Sequence, residues 1–459
     1  MHTFGASDAP SCALSSSRRP TQTCGMDHVT EDRSTDGNAR TGRTKDLVAV
    51  NIGNALEWFD WNIYAIFAPF FAAQFFRQQD PLSSLLATLA VFAVGFLMRP
   101  IGGWVFGRLA DRRGRRFSLT LAIVLAAIGS LLIAVAPTFE TVGVFAGVIL
   151  LIARLVQGLS HGGETGSAFT YLAEVAPRDR RGLWASSPWL GVGAGTMAAT
   201  GLGVLLTAVL SRQEMTAYGW RIPFAVAALL GLYAIYIRRT MRESAAHQNS
   251  AAVTRHALPL AEVLAQLRAE WPALLRIIGL TISGVVAFYT WFIFAPGYAS
   301  RAFGMSANAS LVAGLAGQAV FLVAIPVMGA LSDRIGRRPV LMIFAAGFGL
   351  LAFPLEWLLG AQPMRLFLAM AIGSVLLAAN CAPLGATFAE LVPTHLRATL
   401  IGVGYATSGA IFGGTAPYLN TWLSSIGAHG FFVGYMIVLC AISLLVIIKM
   451  PETARADLR

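Results

Sequence analysis

Twelve long apolar stretches follow one another from residue 47 almost to the end of the chain, separated by polar gaps. Their approximate limits are 47 to 77, 83 to 107, 116 to 137, 141 to 174, 182 to 211, 220 to 239, 273 to 302, 307 to 331, 338 to 360, 363 to 391, 396 to 425 and 428 to 450. A helix of about 20 residues is what crosses roughly 30 Å of hydrocarbon. In lipid every backbone N–H and C=O needs a partner within the structure, so the chain is predicted to be an all-α membrane protein of twelve transmembrane helices. Composition agrees: 56% of the residues are hydrophobic and only 12% charged, a balance unlike that of a soluble domain.

The polar gaps carry the topology. The net charge of +11 sits in short clusters between the apolar runs, a pattern that orients spans in a bilayer rather than one that grips nucleic acid. The gap after the second span holds Arg108, Arg112, Arg113, Arg115 and Arg116, and the gaps after the fourth, sixth, eighth and tenth spans are also basic, while the alternate gaps are nearly free of charge. Positive-inside asymmetry therefore predicts both termini in the cytoplasm of a bacterial inner membrane. Residues 1–44 lack an apolar core and read as a disordered cytoplasmic tail rather than a signal peptide, with Met26 an alternative start. Cys12, Cys24, Cys381 and Cys440 show no metal-ligand or disulfide spacing, so no cofactor is expected.

Two motifs occur twice in the same order. GRLADRRGRR at 107–116 returns as GALSDRIGRR at 329–338, and LAEVAPRDRRG, with Glu174, Pro177 and Arg181, returns as FAELVPTHLRA, with Glu390, Pro393 and Arg397. The chain is thus read as six spans duplicated: a bundle over 45–240, a linker over 241–272 with a surface-lying amphipathic helix, a second bundle over 273–450, and a short tail over 451–459. In the first repeat, Gly107, Gly114, Gly329 and Gly336 let helices approach and the chain turn sharply. Asp111 and Asp333 can cap a helix or pair with arginine, and Arg112, Arg115, Arg334 and Arg337 hold the loop at the anionic leaflet. A topogenic charge cluster would explain the arginines but not the repeated Gly and Asp, so the motif is read as a conformational gate.

This loop pair resembles the signature of the major facilitator superfamily. GNALEWFDWNIYA at 53–65, GFLMRPIGGWVFGRLADRRGRR at 95–116, RLVQGLSHGGETG at 154–166 and YGWRIPF at 218–224 are similar to the metabolite:proton symporter family within it. FYT at 288–290 and IFGGTAPY at 411–418 resemble its α-ketoglutarate carriers in particular. The resemblance implies a monomeric secondary transporter working by alternating access, whose partners are protons and a small carboxylate: α-ketoglutarate first, with citrate, shikimate or proline and betaine as alternatives.

Ionisable groups at the bilayer centre are costly and mark function. Here they are Glu57, Asp60, Arg99, Arg154 and Glu164, all in the first half. Counting about 1.5 Å per residue brings Glu57, Asp60, Arg99 and Arg154 together near mid-depth, with Glu164 one to two turns nearer the cytoplasm. Asp60 is expected to pair with Arg154 and to release it on taking a proton; a static salt bridge is the alternative, and Glu57 could take the proton instead. The resemblance adds that sugar:proton symporters of the superfamily set an acid of the first span against an arginine of the fourth.

Arg99 is the candidate substrate anchor, because a guanidinium offers a fork of donors to a carboxylate; the alternative is a structural partner for Glu57 or Glu164. His161 departs from the family pattern and reads as a satisfied polar residue. Tyr289, Thr290, Trp291, Gln318, Asn380, Tyr405 and Ser408 are candidates to contact the rest of the substrate, or to bond between helices.

Rival functions lack their signatures. Lys45 and Lys449 are the two lysines, and neither lies in a phosphate-binding loop; HExxH and CxxC are absent. The chain is therefore not expected to be an ATP-driven pump or an enzyme. Drug efflux or a non-transporting sensor fits the charge set less well than transport of an anion.

Overall fold

The computed structural model describes residues 33–77, 80–162, 172, 176–240, 265, 268–393 and 397–454. Contacts gather the chain into a short unit, Met1–Lys45, and a large one, Asp46–Arg459. Among the described residues there is no strand and there are twelve long helices. In the first half these are α1 (Arg33–Phe75), α2 (Pro81–Arg113), α3 (Arg115–Val135), α4 (Phe145–His161), α5 (Pro188–Val209) and α6 (Arg221–Thr240). In the second they are α7 (Trp271–Phe303), α8 (Ala307–Ile335), α9 (Arg337–Leu358), α10 (Pro363–Leu391), α11 (Arg397–Ser408, a π-helical turn Gly409–Gly413, then Ala416–Ser425) and α12 (His429–Lys449). Every predicted span has its helix. Among the described residues, eight helices are by themselves long and apolar enough to cross a membrane.

One boundary differs from expectation. Helix α1 begins at Arg33, ahead of the expected boundary at 44, consistent with the small cost of extending a helix that is already nucleated. The linker expected to carry a surface helix falls mostly on 241–264, outside the described residues.

Large apolar side chains turn outward in numbers no soluble core would tolerate: Val135, Phe145, Val209, Leu350, Trp357 and Phe431 are each at least two-thirds exposed, the face that lipid solvates. Inside each half, packing depends on backbone proximity. A Cβ on Gly158 would run into the Gly95 carbonyl and lie 3.1 Å from the Met98 Cβ, so α2 and α4 meet backbone to backbone. Gly158→Val is expected to yield no monodisperse protein in detergent, while Gly434→Ala, facing open space, behaves as wild type; size-exclusion chromatography checks both.

Across the halves, α5 packs on α8 and α2 on α11. The repeated loops turn at Gly114 (φ +88°) and Gly336 (φ +105°), a left-handed backbone that admits glycine and strains other residues. The second turn is also tied to the chain's end: Glu452 accepts the N–H groups of Arg337 (2.8 Å) and Arg338 (3.0 Å), capping α9 where its dipole is positive.

Candidate functional site

One helical face of α1 supplies the centre of the site. Glu57, Asp60, Trp61 and Tyr64 recur at helical spacing, with Asp60, Trp61 and Tyr64 buried. Trp61, fully buried, is the hub: the guanidinium carbons of Arg99 (α2) and Arg154 (α4) each lie 4.0 Å from its ring centroid, and the His161 ring meets it edge-on at 5.1 Å. Arg99 also lies over Phe96 (4.5 Å) and Trp58 (5.7 Å), and Arg154 over Tyr64 (4.3 Å). Desolvated cation–π contacts are worth about 2 kcal/mol each. They hold the cations in place without neutralising them.

The expected Asp60–Arg154 pair is not formed directly. Gln157 stands between them: Arg154 Nη1 donates to Gln157 Oε1 (3.0 Å), and Gln157 Nε2 donates to Asp60 Oδ2 (3.2 Å). Asp60 takes a further hydrogen bond from Ser130 of α3. The geometric reason is that Gln157, one turn beyond Arg154 on the same face, fills the gap and offers both a donor and an acceptor.

His161, read from the sequence as a satisfied polar residue, has its Nδ1 2.9 Å from Glu57 Oε1, while its Nε2, without a hydrogen bond, lies 3.6 Å from Asp60 Oδ2, so the ring sits between the two acids. Glu164 lies outside the described residues. Sequence reasoning missed Ser130, Gln157 and Trp61 because each reads as ordinary helix content; only the periodicity of α1 pointed at Trp61. Among the described residues no group of His, Cys, Asp or Glu is placed to hold a metal ion.

Both cations keep unsatisfied donors. Arg99 Nε, Arg154 Nε and Arg154 Nη2 are buried without a hydrogen-bond partner, as is the Tyr289 hydroxyl, which lies against Arg99 and Trp61. Among the described residues no carboxylate pairs with Arg99, neither Glu57 nor any other. Next to this group is a constricted cavity between the halves, with room for about one water molecule, lined by Trp58 and Trp189 from the first half and by Tyr289, Asn380 and Tyr405 from the second.

Three of the second-half candidates thus reach the central cavity. Trp291 does not. It follows Tyr289 by two residues, roughly half a turn round the helix, and with Thr290 it lines a separate cavity inside the second half beside Glu356 and His429. Gln318 takes the second of the two readings, bonding between helices, since its Nε2 donates to the Phe292 carbonyl (2.9 Å) in the π-helical part of α7. Ser408 is likewise engaged, accepting from Thr281 Oγ1 at 2.6 Å.

At the end bearing the repeated loops the halves are locked together. Asp333 accepts the N–H groups of Gly182 (2.7 Å) and Leu183 (2.9 Å) from the first half, and also Arg337 Nη1 (2.7 Å). Glu390, with its side chain fully buried, receives Arg337 (3.2 Å) from its own half and Arg181 (3.1 Å) from the other. Gly182 is required there, since a Cβ would strike Arg337, Ser332 and Asp333. Gly329 in turn approaches Ser186 and the Gly182 carbonyl.

Gly107 faces open space, Arg112 and Gly114 are exposed, and the side chains of Asp111 and Arg115 lie outside the described part. Arg334 is exposed as well. The clasp among the described residues belongs to the second-half repeat.

The run GLSHG at 158–162 has the GxSxG spacing of a hydrolase nucleophile elbow. It lies at the end of α4, however, where Ser160 Oγ donates to Gln157 O (2.7 Å), whereas an elbow requires a strand-to-helix turn.

The chain as a whole is similar to known proteins. The family model described as Sugar (and other) transporter matches residues 47–459. Alpha-ketoglutarate permease of Escherichia coli (strain K12) is 36% identical over 420 residues, 91% of this chain and 96% of its own. Proline/betaine transporter of the same strain is 32% identical over 435 residues, 92% and 86% of the two chains. In fold, the chain is similar to a D-xylose-proton symporter of known structure, with a TM-score of 0.69 at 20% identity, covering 90% of this chain and 99% of that one.

Proposed function

The chain belongs to the sugar (and other) transporter family of the major facilitator superfamily, and from that premise we propose that it carries a small carboxylate into the cytoplasm together with protons, an α-ketoglutarate-like dicarboxylate being the favoured cargo. The observation that carries this reading is the pair of buried guanidiniums with unsatisfied N–H groups beside the cavity between the halves. Each unmade hydrogen bond costs about 1–3 kcal/mol, and an anion entering the cavity recovers that cost at both cations. Arg99 is the anchor, with Tyr289, Tyr405 and Asn380 contacting the remainder of the cargo from the second half. The coupled proton enters the cluster that holds Glu57 and Asp60, and Arg154 is linked to that cluster through Gln157.

The inward direction follows from proton coupling, since the proton gradient of a bacterial cell points inward. The cavity is too small for such a cargo as it stands, so loading requires the halves to part on the side away from the clasped loops, which the charge rule puts in the cytoplasm.

A second reading, a proline or betaine carrier, is favoured by the 32% identity to the proline/betaine transporter. Zwitterions also present a carboxylate to Arg99, so that group cannot separate the two cargoes. Uptake of labelled α-ketoglutarate into cells expressing the protein, with citrate, shikimate, proline and glycine betaine as competitors, decides between them. Competition is expected from unlabelled α-ketoglutarate and not from proline or betaine, and a protonophore should cut accumulation by about tenfold or more. Accumulation unchanged by the protonophore rejects proton coupling; α-ketoglutarate uptake no greater than in cells lacking the protein rejects the dicarboxylate.

A further inference from the structure

His161 is placed where a bystander would not be. Its two ring nitrogens face two carboxylates, Glu57 at 2.9 Å and Asp60 at 3.6 Å, and the ring is buried. A neutral imidazole carries one N–H, so with both acids ionised it would turn a lone pair toward one carboxylate. The arrangement is complementary on both sides only when the cluster holds a proton more than that.

The charged groups around the ring are Glu57 and Asp60 on α1, Arg99 on α2 and Arg154 on its own helix, with Ser130 the nearby polar group of α3; Glu164 lies outside the described residues.

The two acids are not equivalent. Asp60 receives Ser130 and Gln157 besides facing His161, and its side chain is 9% exposed. Glu57 is twice as exposed, at 17%, and follows α1 one residue before Trp58, which lines the central cavity. His161 is the one described hydrogen-bond partner of Glu57.

From this asymmetry we propose that His161 is a working member of the proton path: Glu57 takes the proton from the cavity side and passes it to His161, while Asp60 stays ionised as the fixed counter-charge. In the transfer the Glu57 O–H bond breaks as the Nδ1–H bond forms, leaving a carboxylate and an imidazolium whose Nε2–H points at Asp60. No other bond changes. The inference rests on the proton-symport reading and assigns the coupling within it to a residue that the charge pattern alone leaves out.

The test uses purified full-length protein in proteoliposomes, with labelled α-ketoglutarate as probe. Two assays are run between about pH 5.5 and 8, the range over which histidine titrates: accumulation driven by an imposed pH gradient, and exchange of internal for external substrate, which needs no net proton movement. His161→Asn keeps a donor near the position of Nδ1 but does not titrate. It is expected to retain exchange within about threefold and to lose gradient-driven accumulation by about tenfold or more, with a flattened pH profile of uptake. His161→Asn accumulating substrate with the wild-type pH profile overturns the proposal.

Wild-type protein that exchanges substrate but shows no gradient-driven accumulation sinks the symport reading itself, a distinct outcome. Should His161→Asn lose exchange as well, the 15N spectrum of histidine-labelled wild-type protein decides. An imidazolium resonance that gives way to a neutral ring on raising the pH, and that is missing from His161→Gln, supports the role; seven histidine resonances with no buried imidazolium at any pH refute it.

Discussion

Arg99→Ala abolishes transport while leaving the protein folded in the membrane. Truncation removes a cation whose described contacts are aromatic, the rings of Trp61, Phe96 and Trp58. What remains is an apolar pocket with no stranded carboxylate, since no acid among the described residues depends on Arg99. Stability should fall by the lost cation–π contacts, about 2 kcal/mol for each well-placed ring, offset by removal of a buried cation with an unmade hydrogen bond, and no carboxylate is left stranded as in a broken buried ion pair. The substrate loses a charge-assisted, forked contact in a dry site, a loss of about 2–5 kcal/mol or roughly 30-fold to several thousandfold in uptake efficiency.

Arg99→Lys separates charge from shape. It restores the cation without the planar fork, so it should recover part of the activity, about a tenth or less. Uptake normalised to membrane-inserted protein, with thermal stability of the purified variants alongside, checks all of this. Arg99→Ala retaining uptake within about tenfold of wild type would reject the anchor.

The sequence was informative where physics acts through length, period and sign. The twelve helices followed from the cost of unpaired backbone groups in hydrocarbon, and the close turn at Gly336 from a repeated glycine beside repeated arginines. The convergence of Glu57, Asp60, Arg99 and Arg154 followed from counting helical rise along four spans. Azimuth was not legible in the same way. That Gln157 would reach Asp60 before Arg154 does, or that Trp291 would turn from the cavity that Tyr289 lines, depends on helix rotation and on the π-helical stretch Phe288–Phe294, which shifts the side chains after it.

His161 shows the limit most clearly. As a single residue its neighbours could not be named, and a lone histidine in an apolar helix is more often bystander than participant; the two acids facing its ring come from another helix and were not legible from its own. The repeats were visible as pairs, Glu174 with Arg181 and Glu390 with Arg397, yet the described contact runs across the pairs, from Arg181 to Glu390. Duplication reveals which residues are equivalent. It does not reveal which of them meet.

That crossed contact sets up the second large effect. Glu390→Gln should open the clasped end. The carboxylate is buried between Arg181 and Arg337, and removing its charge leaves two guanidiniums without their shared anion. A penalty of about 3–5 kcal/mol falls on the clasped arrangement alone, because parted halves expose the arginines to water. At about 1.4 kcal/mol per decade, the balance between the two positions moves by roughly a hundredfold or more, and a carrier held mostly in one position turns over slowly. Net uptake is therefore expected to drop by about tenfold or more even though the cargo site is untouched.

A cysteine in place of Ser186, which is buried beside Gly329 of the other half, reports the opening directly. In membrane vesicles that expose this face, its alkylation by maleimide should be slow in the parent and about tenfold faster once Glu390→Gln is added. The native Cys381 and Cys440 are buried, and Cys12 and Cys24 are changed to serine in both proteins so that the cysteine at 186 alone reports. Equal alkylation rates in the two proteins would mean that Glu390 merely stabilises the fold, and that the repeated motif is not the hinge of the transport cycle.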